Sequence, residues 1–245
     1  MKTLGIDIGG SAVKGAPVDP RTGRLLAPRL RIATPEPLTP LAMSRAVAEI
    51  ARHFRWRGRI GVGFPGVVQG SRTLTSANLH PRFVGCDAGR LFAQATGCRV
   101  ALINDADAAG LAEVTFGAGR RVQGTVLLVT IGTGIGTAVF SGGRLLPNTE
   151  LGHLPWHGRS AERYVSSAAR KRRGLSWASW ARELGEYLRT LERLLWPELI
   201  VLGGGASSKS DKFIRHVRCR AKLVVASSGN EAGIVGAALC AAEPG

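Results

Sequence analysis

No apolar run in this 245-residue chain approaches the roughly 20 residues that a membrane-crossing helix needs. The longest, TVLLVTI at 125–131 and AGIVGAALCAA at 232–242, fall far short, which excludes a helical membrane protein and leaves a soluble one. The opening MKTLGIDIGG places Asp7 where a secretion signal needs its apolar centre, so no signal peptide is expected and the expected residence is cytoplasmic. Cysteine is scarce as well. Cys86, Cys98, Cys219 and Cys240 lie scattered without a CxxC pair, which argues against a disulfide framework and against a cysteine zinc site. They are expected as reduced, mostly buried thiols.

Acidic residues are also few: 17 Asp and Glu stand against 33 Lys and Arg, a formal charge of +16 that would attract polyanions over a wide area. Arginine supplies 27 of the 33 cations, and its planar fork matches phosphate oxygens in pairs. The surplus is uneven. Residues 159–182 hold seven cations against Glu162, and 205–222 hold six against Asp211. A solvated basic face without a ligand is the bland alternative to an anionic partner. What is abundant, 44% hydrophobic residues, suffices for one large domain or two small ones with proper cores and excludes disorder as the main state.

Apolar alternation into a glycine pair at 4–10, then alternation again at 12–18, predicts a glycine-rich β-hairpin. VTIGTGIGTAVFSGGRLL at 129–146 repeats that order at an offset of 123 residues, with Asp7 matching Thr130, Gly9 matching Gly132 and Gly10 matching Thr133. Both copies close with GRLL, at 23–26 and 143–146. Duplication explains this better than chance. Between and after the repeats, helix and strand patterns alternate, which favours an α/β architecture. Helices are predicted at about 40–54, 87–96, 106–116, 160–172, 176–195, 208–217 and 230–242, and further strands near 59–64, 99–103, 124–131, 198–202 and 221–225. In the helix at 176–195, Trp177, Trp180, Ala181, Leu184, Leu188, Leu191, Leu194 and Leu195 form one apolar stripe, so its tryptophans are read as scaffold. Two lobes, each opened by a glycine turn, would set those turns face to face across a cleft and hold a phosphate-bearing ligand from both sides.

Glycine lets backbone N–H groups converge on an anion without an intervening Cβ. The first hairpin adds Lys14 as a point charge and Asp7 as a partner for Mg²⁺, directly or through water. The simpler reading is a plain turn with an exposed aspartate. LIVLGGG at 199–205, between a strand and a helix, is either a seat for phosphates at a helix N-terminus or a tight turn. In ALINDADAAGLAE at 101–113 a strand ends at Asn104 and Asp105 where a helix begins. Asp105 is either the N-cap of that helix or a general base that takes a substrate hydroxyl's proton as its oxygen attacks phosphorus. NTELGHLPWHG at 148–158 brings Glu150 and His153 beside the second hairpin, where they suit adjacent sugar hydroxyls. Pro155 breaks the register that His153 and His157 would need to share a metal, so hydrogen bonding is favoured over zinc.

Taken in order and at these spacings, GIDIGGSAVKG, GVGFPGVV, ALINDADAAGLAE, VTIGTGIGTA, NTELGH, LIVLGGG and NEAGIVGAAL resemble the ROK sugar kinases, and within them the polyphosphate glucokinase branch. The resemblance covers residues 3–242. It implies a two-lobed, actin-like ATPase fold built from duplicated ribonuclease H-like halves. The lobes would be residues 1–104 with 229–245, the smaller, and residues 105–228, the larger. It also implies Mg²⁺-assisted phosphoryl transfer to the 6-hydroxyl of glucose. Asp105 then matches the catalytic base and Asn104 a sugar contact. Gly66, Asn78, Glu150, His153 and Glu162 match sugar-side positions. Asp7, Gly9, Gly10 and Lys14, with Thr130, Gly132, Thr133 and Gly134, match the phosphate-binding turns. Gly203, Gly204 and Gly205 match the turn near the adenosine site of ATP-using relatives.

Departures from the wider family carry information too. LPWHGRSAERY lacks the cysteines that hold zinc in many members, and the first strand begins too early for a preceding helix-turn-helix, so neither zinc nor specific nucleic-acid binding is expected. Phe83 stands where the branch has Trp, and Glu231 interrupts an Asn-Asn pair, both away from the expected chemistry. The expected donor is inorganic polyphosphate, with ATP as a second candidate, guided by Arg170, Lys171, Arg172 and Arg173 in a homodimeric enzyme. The alternatives are an ATP-dependent hexokinase of the same fold and a non-catalytic protein that responds to sugar or binds polyanions.

Overall fold

The alternating segments at 4–8 and 12–18 pair as expected: β1 (Thr3–Ile8) and β2 (Ala12–Val18) form an antiparallel hairpin with Asp7 opposite Lys14. The computed structural model describes residues 2–77 and 79–242. It divides the chain into two units, one running through Ala112 and resuming at Glu231, the other Glu113–Asn230.

The first unit adds β3 (Leu30–Ala33), β4 (Ile60–Phe64), the short pair β5 (Val68–Gln69) and β6 (Arg72–Thr73), and β7 (Val100–Asn104). Its helices are α1 (Pro40–His53), α2 (Ala88–Thr96) and the start of α3 (Asp105–Thr115). The second unit contains β8 (Thr125–Ile131), β9 (Ile135–Ser141), β10 (Arg144–Leu146), the pair β11 (Pro155–Trp156) and β12 (Arg159–Ser160), β13 (Leu199–Gly203) and β14 (Lys222–Val225). Its helices are α4 (Glu162–Val165), α5 (Ser167–Arg172) and α6 (Trp177–Leu195). The chain then returns to the first unit as α7 (Ala232–Ala242).

The two main sheets have one topology. Their orders are β3-β2-β1-β4-β7 and β10-β9-β8-β13-β14, each an antiparallel three-stranded meander followed by two parallel strands. This is the duplicated ribonuclease H-like arrangement of the actin-like ATPases, and the hairpin repeat in the sequence is its trace. The copies differ at the turn. Ile8 pairs with Val13 in the first, whereas Ile131 pairs with Ile135 in the second, one residue tighter.

Each sheet has its own core. Leu4, Ile6, Val62, Phe64, Phe83 and Phe92 belong to the first, and Leu127, Val129, Trp180, Leu184, Tyr187, Leu188 and Ile200 to the second. Each fully buried large side chain is worth about 1.5–3 kcal/mol in transfer terms. Phe83 packs on Phe64 with centroids 5.0 Å apart, which makes it scaffold. Helix α7 needs glycine to lie so close: a Cβ on Gly5 would overlap the Ile234 carbonyl, one on Gly61 the Ala237 carbonyl, and one on Gly236 the Ala108 carbonyl of α3. Glu113, 1% exposed, accepts N–H bonds from Ser228 (2.6 Å) and Ala118 (2.8 Å) and a hydroxyl bond from Ser227 (3.2 Å). Burial opposes its charge, but these donors outweigh that and hold its carboxyl below the ordinary range.

Several expectations need correction. The helix expected at 160–172 is broken, because Ser166 is extended (φ −72°, ψ 159°) and its hydroxyl caps α5 by accepting from Ala169 N–H. The helix expected at 208–217 is absent. Residues 205–212 and 214–216 form 3₁₀ turns, since Ser207 and Ser208 spend their hydroxyls on the carbonyls of Gly204 and Gly205 and compete with α-helical bonding. GRLL at 143–146 does supply a third strand, but at 23–26 it yields only a Val18–Leu25 bridge, and β3 forms later. Leu194 is 63% exposed rather than part of the stripe, because the last turn of α6 ends as Trp196 turns left-handed (φ 48°). Among the described residues no disulfide joins the four cysteines, and each is half-buried rather than mostly buried. Among the described residues no helix is long and apolar enough to cross a membrane.

Candidate active site

Strand register gathers the first group of candidate residues. Asp7 of β1 pairs with Gly63 of β4, and Gly63 with Ile103 of β7, so Asp7, the Phe64–Gly66 turn and Asn104–Asp105 all lie at the carboxyl ends of parallel strands. Two interstrand spacings separate β1 from β7, roughly 10 Å. Open α/β sheets bind ligands at this edge.

At the β1 end the Lys14 ammonium lies 3.4 Å from Asp7 Oδ2, and both side chains are partly exposed. The turn beyond is held by Gly9 N–H donating to the Ala12 carbonyl (3.0 Å) and by the Thr34 hydroxyl donating to the Gly9 carbonyl (2.7 Å). The first turn of α7 abuts Asp7: a Cβ on Gly233 would stand 2.9 Å from its Cγ. A helix N-terminus favours a carboxylate there. Gly10 is exposed, has no positive φ, and has nothing within 4 Å of where its Cβ would stand. Neither backbone nor packing demands that glycine, and the space beside it is open to an incoming anion.

At the β7 end the structure decides who caps α3. Asn104 Oδ1 accepts from Ala106 N–H (2.9 Å) and Asp107 N–H (3.0 Å), so Asn104 and not Asp105 is the N-cap. Its Nδ2 donates to the Gly66 carbonyl at 3.1 Å, and the residue is only 5% exposed. The amide expected to contact sugar therefore ties the Phe64–Gly66 turn to α3. Gly66 needs to be glycine, with φ +151° and Thr75 Oγ1 3.0 Å from the position of a Cβ. Asp105 is partly exposed, and its Oδ1 accepts from Ala106 N–H at 2.7 Å. Asn78 lies outside the described residues.

The second unit builds a parallel group. Gly203 of β13 pairs with Thr130 of β8, so both glycine turns again share a carboxyl edge. Gly132 N–H donates to the Gly134 carbonyl (3.0 Å), Thr133 is exposed, and Gly132 and Gly205 have open space where a Cβ would stand. Gly204 is constrained instead, with φ +75° and the Ile131 backbone against it. No α-helix follows this turn, so the expected α-helical N-terminus for a nucleotide is replaced by the 3₁₀ turn from Gly205.

Glu162, Glu150 and His153 come together beside the turn at 132–134. Glu162 Oε2 accepts from Ile135 N–H at 3.4 Å and fills the place a Gly134 Cβ would take. Residues 149–152 are laced to β9: the Thr149 hydroxyl donates to the Thr137 carbonyl (3.1 Å), Leu151 N–H to the Thr137 hydroxyl (3.1 Å), and Gly152 fits against the Ile135 carbonyl. His153 Nε2 is 3.8 Å from Glu150 Oε2. Burial pushes the Glu150 carboxyl up; the cationic form of His153 opposes this and the charge of Glu162 adds to it. Such a carboxylate–imidazole cluster suits the hydroxyls of a polyol.

Helix α5 joins the same turn through Ala168 N–H, which donates to the Gly132 carbonyl at 3.3 Å. Of its expected polyanion contacts, Arg170 stacks over Trp177 (3.9 Å) and donates to the Leu175 carbonyl. Arg173 forms a bidentate pair with Glu183 (2.5 and 3.0 Å). Lys171 and Arg172 remain exposed, Arg172 holding the Arg163 carbonyl at 2.8 Å. A groove of about 430 Å³ lined by Trp156, His157, Glu186, Arg189 and Arg193 contains none of the expected residues.

Comparison with known proteins places these features in context. The model of the ROK family matches residues 3–162. A polyphosphate glucokinase of Mycobacterium tuberculosis is 44% identical over 96% of this chain and 89% of its own, and one of Mycobacterium leprae is 42% identical over 96% and 73%. Among solved structures, the inorganic polyphosphate/ATP-glucomannokinase of Arthrobacter sp. strain KM superposes with a TM-score of 0.95 at 44% identity, over 98% of both chains. A ROK glucokinase of Streptomyces griseus, solved with glucose and AMPPNP, gives 0.84 at 25% identity over both full lengths.

Proposed function

The chain belongs to the ROK family, and from that membership we propose that it is a glucokinase that moves the terminal phosphoryl group of inorganic polyphosphate, with ATP as a second donor, to the 6-hydroxyl of glucose. The observation that carries the chemistry is the corner between β7 and α3. With Asn104 serving as cap, the partly exposed Asp105 is not needed for that task. Its carboxylate accepts the proton of the sugar hydroxyl as that oxygen attacks phosphorus.

Glu150, His153 and Glu162 bind ring hydroxyls, which sets the reacting oxygen in place and contributes by positioning. Asn104 and Gly66 act indirectly, by fixing the backbone that carries Asp105. Backbone N–H groups at Gly9–Gly10 and Gly132–Gly134, with Lys14, stabilise charge on the phosphate oxygens. Among the described residues no three His, Cys, Asp or Glu side chains gather as a metal cage. A single carboxylate fits a cation that keeps waters and substrate phosphates as its other ligands, and Asp7 is the residue that would hold it. That cation, taken as Mg²⁺, would supply charge neutralisation at the phosphates.

The guiding surface for polyphosphate is Lys171 and Arg172 with Arg163, because Arg170 is stacked on Trp177 and the charge of Arg173 is met by Glu183, whereas Arg172 holds only a backbone carbonyl. A cytoplasmic homodimer completes the proposal. The test supplies glucose and Mg²⁺ with ATP or with long-chain polyphosphate and quantifies glucose 6-phosphate. Product from polyphosphate with a kcat/KM at least equal to that with ATP is expected. Product from ATP alone would make the enzyme an ATP-dependent hexokinase, and no product from either would overturn the kinase reading.

A further inference from the structure

Tyr187 sits in the middle of α6 with no exposed surface, and among the described residues its hydroxyl has no hydrogen-bond partner. A buried hydroxyl without a partner costs about 1–3 kcal/mol, so a core position that phenylalanine would fill better asks for an explanation. The ring itself is ordinary core, packed edge-on to Trp156 at 6.1 Å and within the cluster that includes Ala161, which precedes α4, and Val165, which ends it. Glu162 begins α4, and its charge acts on Tyr187. The same carboxylate acts on Glu150, which stands 3.8 Å from His153. Helix α6 packs on α4 here, with Trp180 Nε1 donating to the Val165 carbonyl at 3.1 Å, so the phenol shares its core with the short helix that Glu162 begins.

Resting on the reading of Glu162 as a sugar ligand, we propose that Tyr187 is a positioning residue for it: in the sugar-bound protein its hydroxyl donates to the Glu162 carboxylate and fixes the rotamer that meets the ring hydroxyls. Active-site hydrogen bonds are often loose in the free protein and tighten with substrate. Burial, reinforced by the Glu162 charge, pushes the phenol far above its ordinary range, so it remains a donor at every working pH. The glutamate needs such a hold. The one described hydrogen bond to its carboxylate, from Ile135 N–H, is long at 3.4 Å.

The test is Tyr187→Phe, which keeps the ring and removes the donor, read by calorimetric glucose binding, steady-state kinetics and thermal melting. Expected are a roughly tenfold weaker glucose Kd and KM, the size of one lost hydrogen bond to a charged group. Both kcat and the donor KM should stay within about twofold, and Tm should be equal or higher. In a Glu162→Gln background the same change should have no further effect on glucose affinity. Unchanged glucose binding in Y187F while the wild type binds glucose overturns the proposal alone. So does an equal loss in the Glu162→Gln background. A wild type that binds no glucose overturns the reading of Glu162 and the proposal with it.

Discussion

Asn104→Ala separates a structural amide from a sugar-binding one. The change removes the cap of α3: Asp107 N–H, 3.0 Å from Asn104 Oδ1, loses its acceptor, and Ala106 N–H keeps only Asp105 Oδ1. Cap removal costs about 1 kcal/mol. It also takes the Nδ2 donor from the buried Gly66 carbonyl, which costs about 1–3 kcal/mol more. The sum, about 2–4 kcal/mol, corresponds to a fall in Tm on the order of 10 °C for a unit of this size. Circular dichroism melting measures it, with hydrogen exchange of residues 63–76 and 105–112 as a local readout. Asn104→Asp keeps the acceptor and loses the donor, so it should preserve protection of α3 while loosening the turn at Gly66. A contact whose only role is to hold sugar would instead raise the glucose KM at constant Tm. If Asn104→Ala melts within about 2 °C of the wild type, the assignment of that amide to the β7–α3 corner is wrong.

Other outcomes follow from neighbouring features. Asp105→Asn should lower kcat by about 10²–10⁴ while Tm barely moves, since the cap is Asn104; retention of most turnover removes Asp105 from its role. Glu113, with its carboxyl held below the ordinary range, contributes stability that is fully present above the unfolded value near 4.3 and is lost as pH falls through the lower folded value. Glu113→Gln should therefore be less stable by about 1–3 kcal/mol at pH 7 and should lose less on acidification below about pH 4.5, and parallel urea-stability profiles for the two proteins would refute it. Lys171→Glu with Arg172→Glu should raise the KM for polyphosphate several-fold and flatten its dependence on salt, leaving the KM for ATP unchanged. Arg173→Ala should instead cost up to about 1 kcal/mol of stability, because Glu183 holds that guanidinium; equal donor effects from both sites would defeat the distinction.

The hairpins were legible because period-two alternation breaks at glycine twice, at one offset, and the matched sheet orders follow from it. The third strand of the first sheet was less so: LRIA at 30–33 alternates half-buried and exposed positions, but over four residues only, too short a run to stand out. Ser-rich stretches misled in both directions. Ser166 reads as part of a helical run until its hydroxyl is seen capping the next turn, and the serines at 207–208 disguise 3₁₀ turns as a helix. At the corner of β7 and α3, Asn104 and Asp105 are both good capping residues, and only the buried geometry distinguishes them. Composition marks basic segments but not which arginines stack or pair inside them, as Arg170 and Arg173 do. Tyr187 falls three residues after Leu184 and one before Leu188, so the stripe could have included it. Its hydroxyl, the part that bears on function, leaves no trace in a hydrophobic pattern.

The discontinuity of the first unit reaches into synthesis. Helix α7, whose backbone fills the space left by Gly5 and Gly61, is translated after every residue of the second unit. On the ribosome the earlier strands therefore wait with one sheet face uncovered, while every buried residue of the second core, from Leu127 to Ala221, is already made. The half made first is the half finished last, and premature release before residue 232 would leave a folded second unit attached to an aggregation-prone remnant.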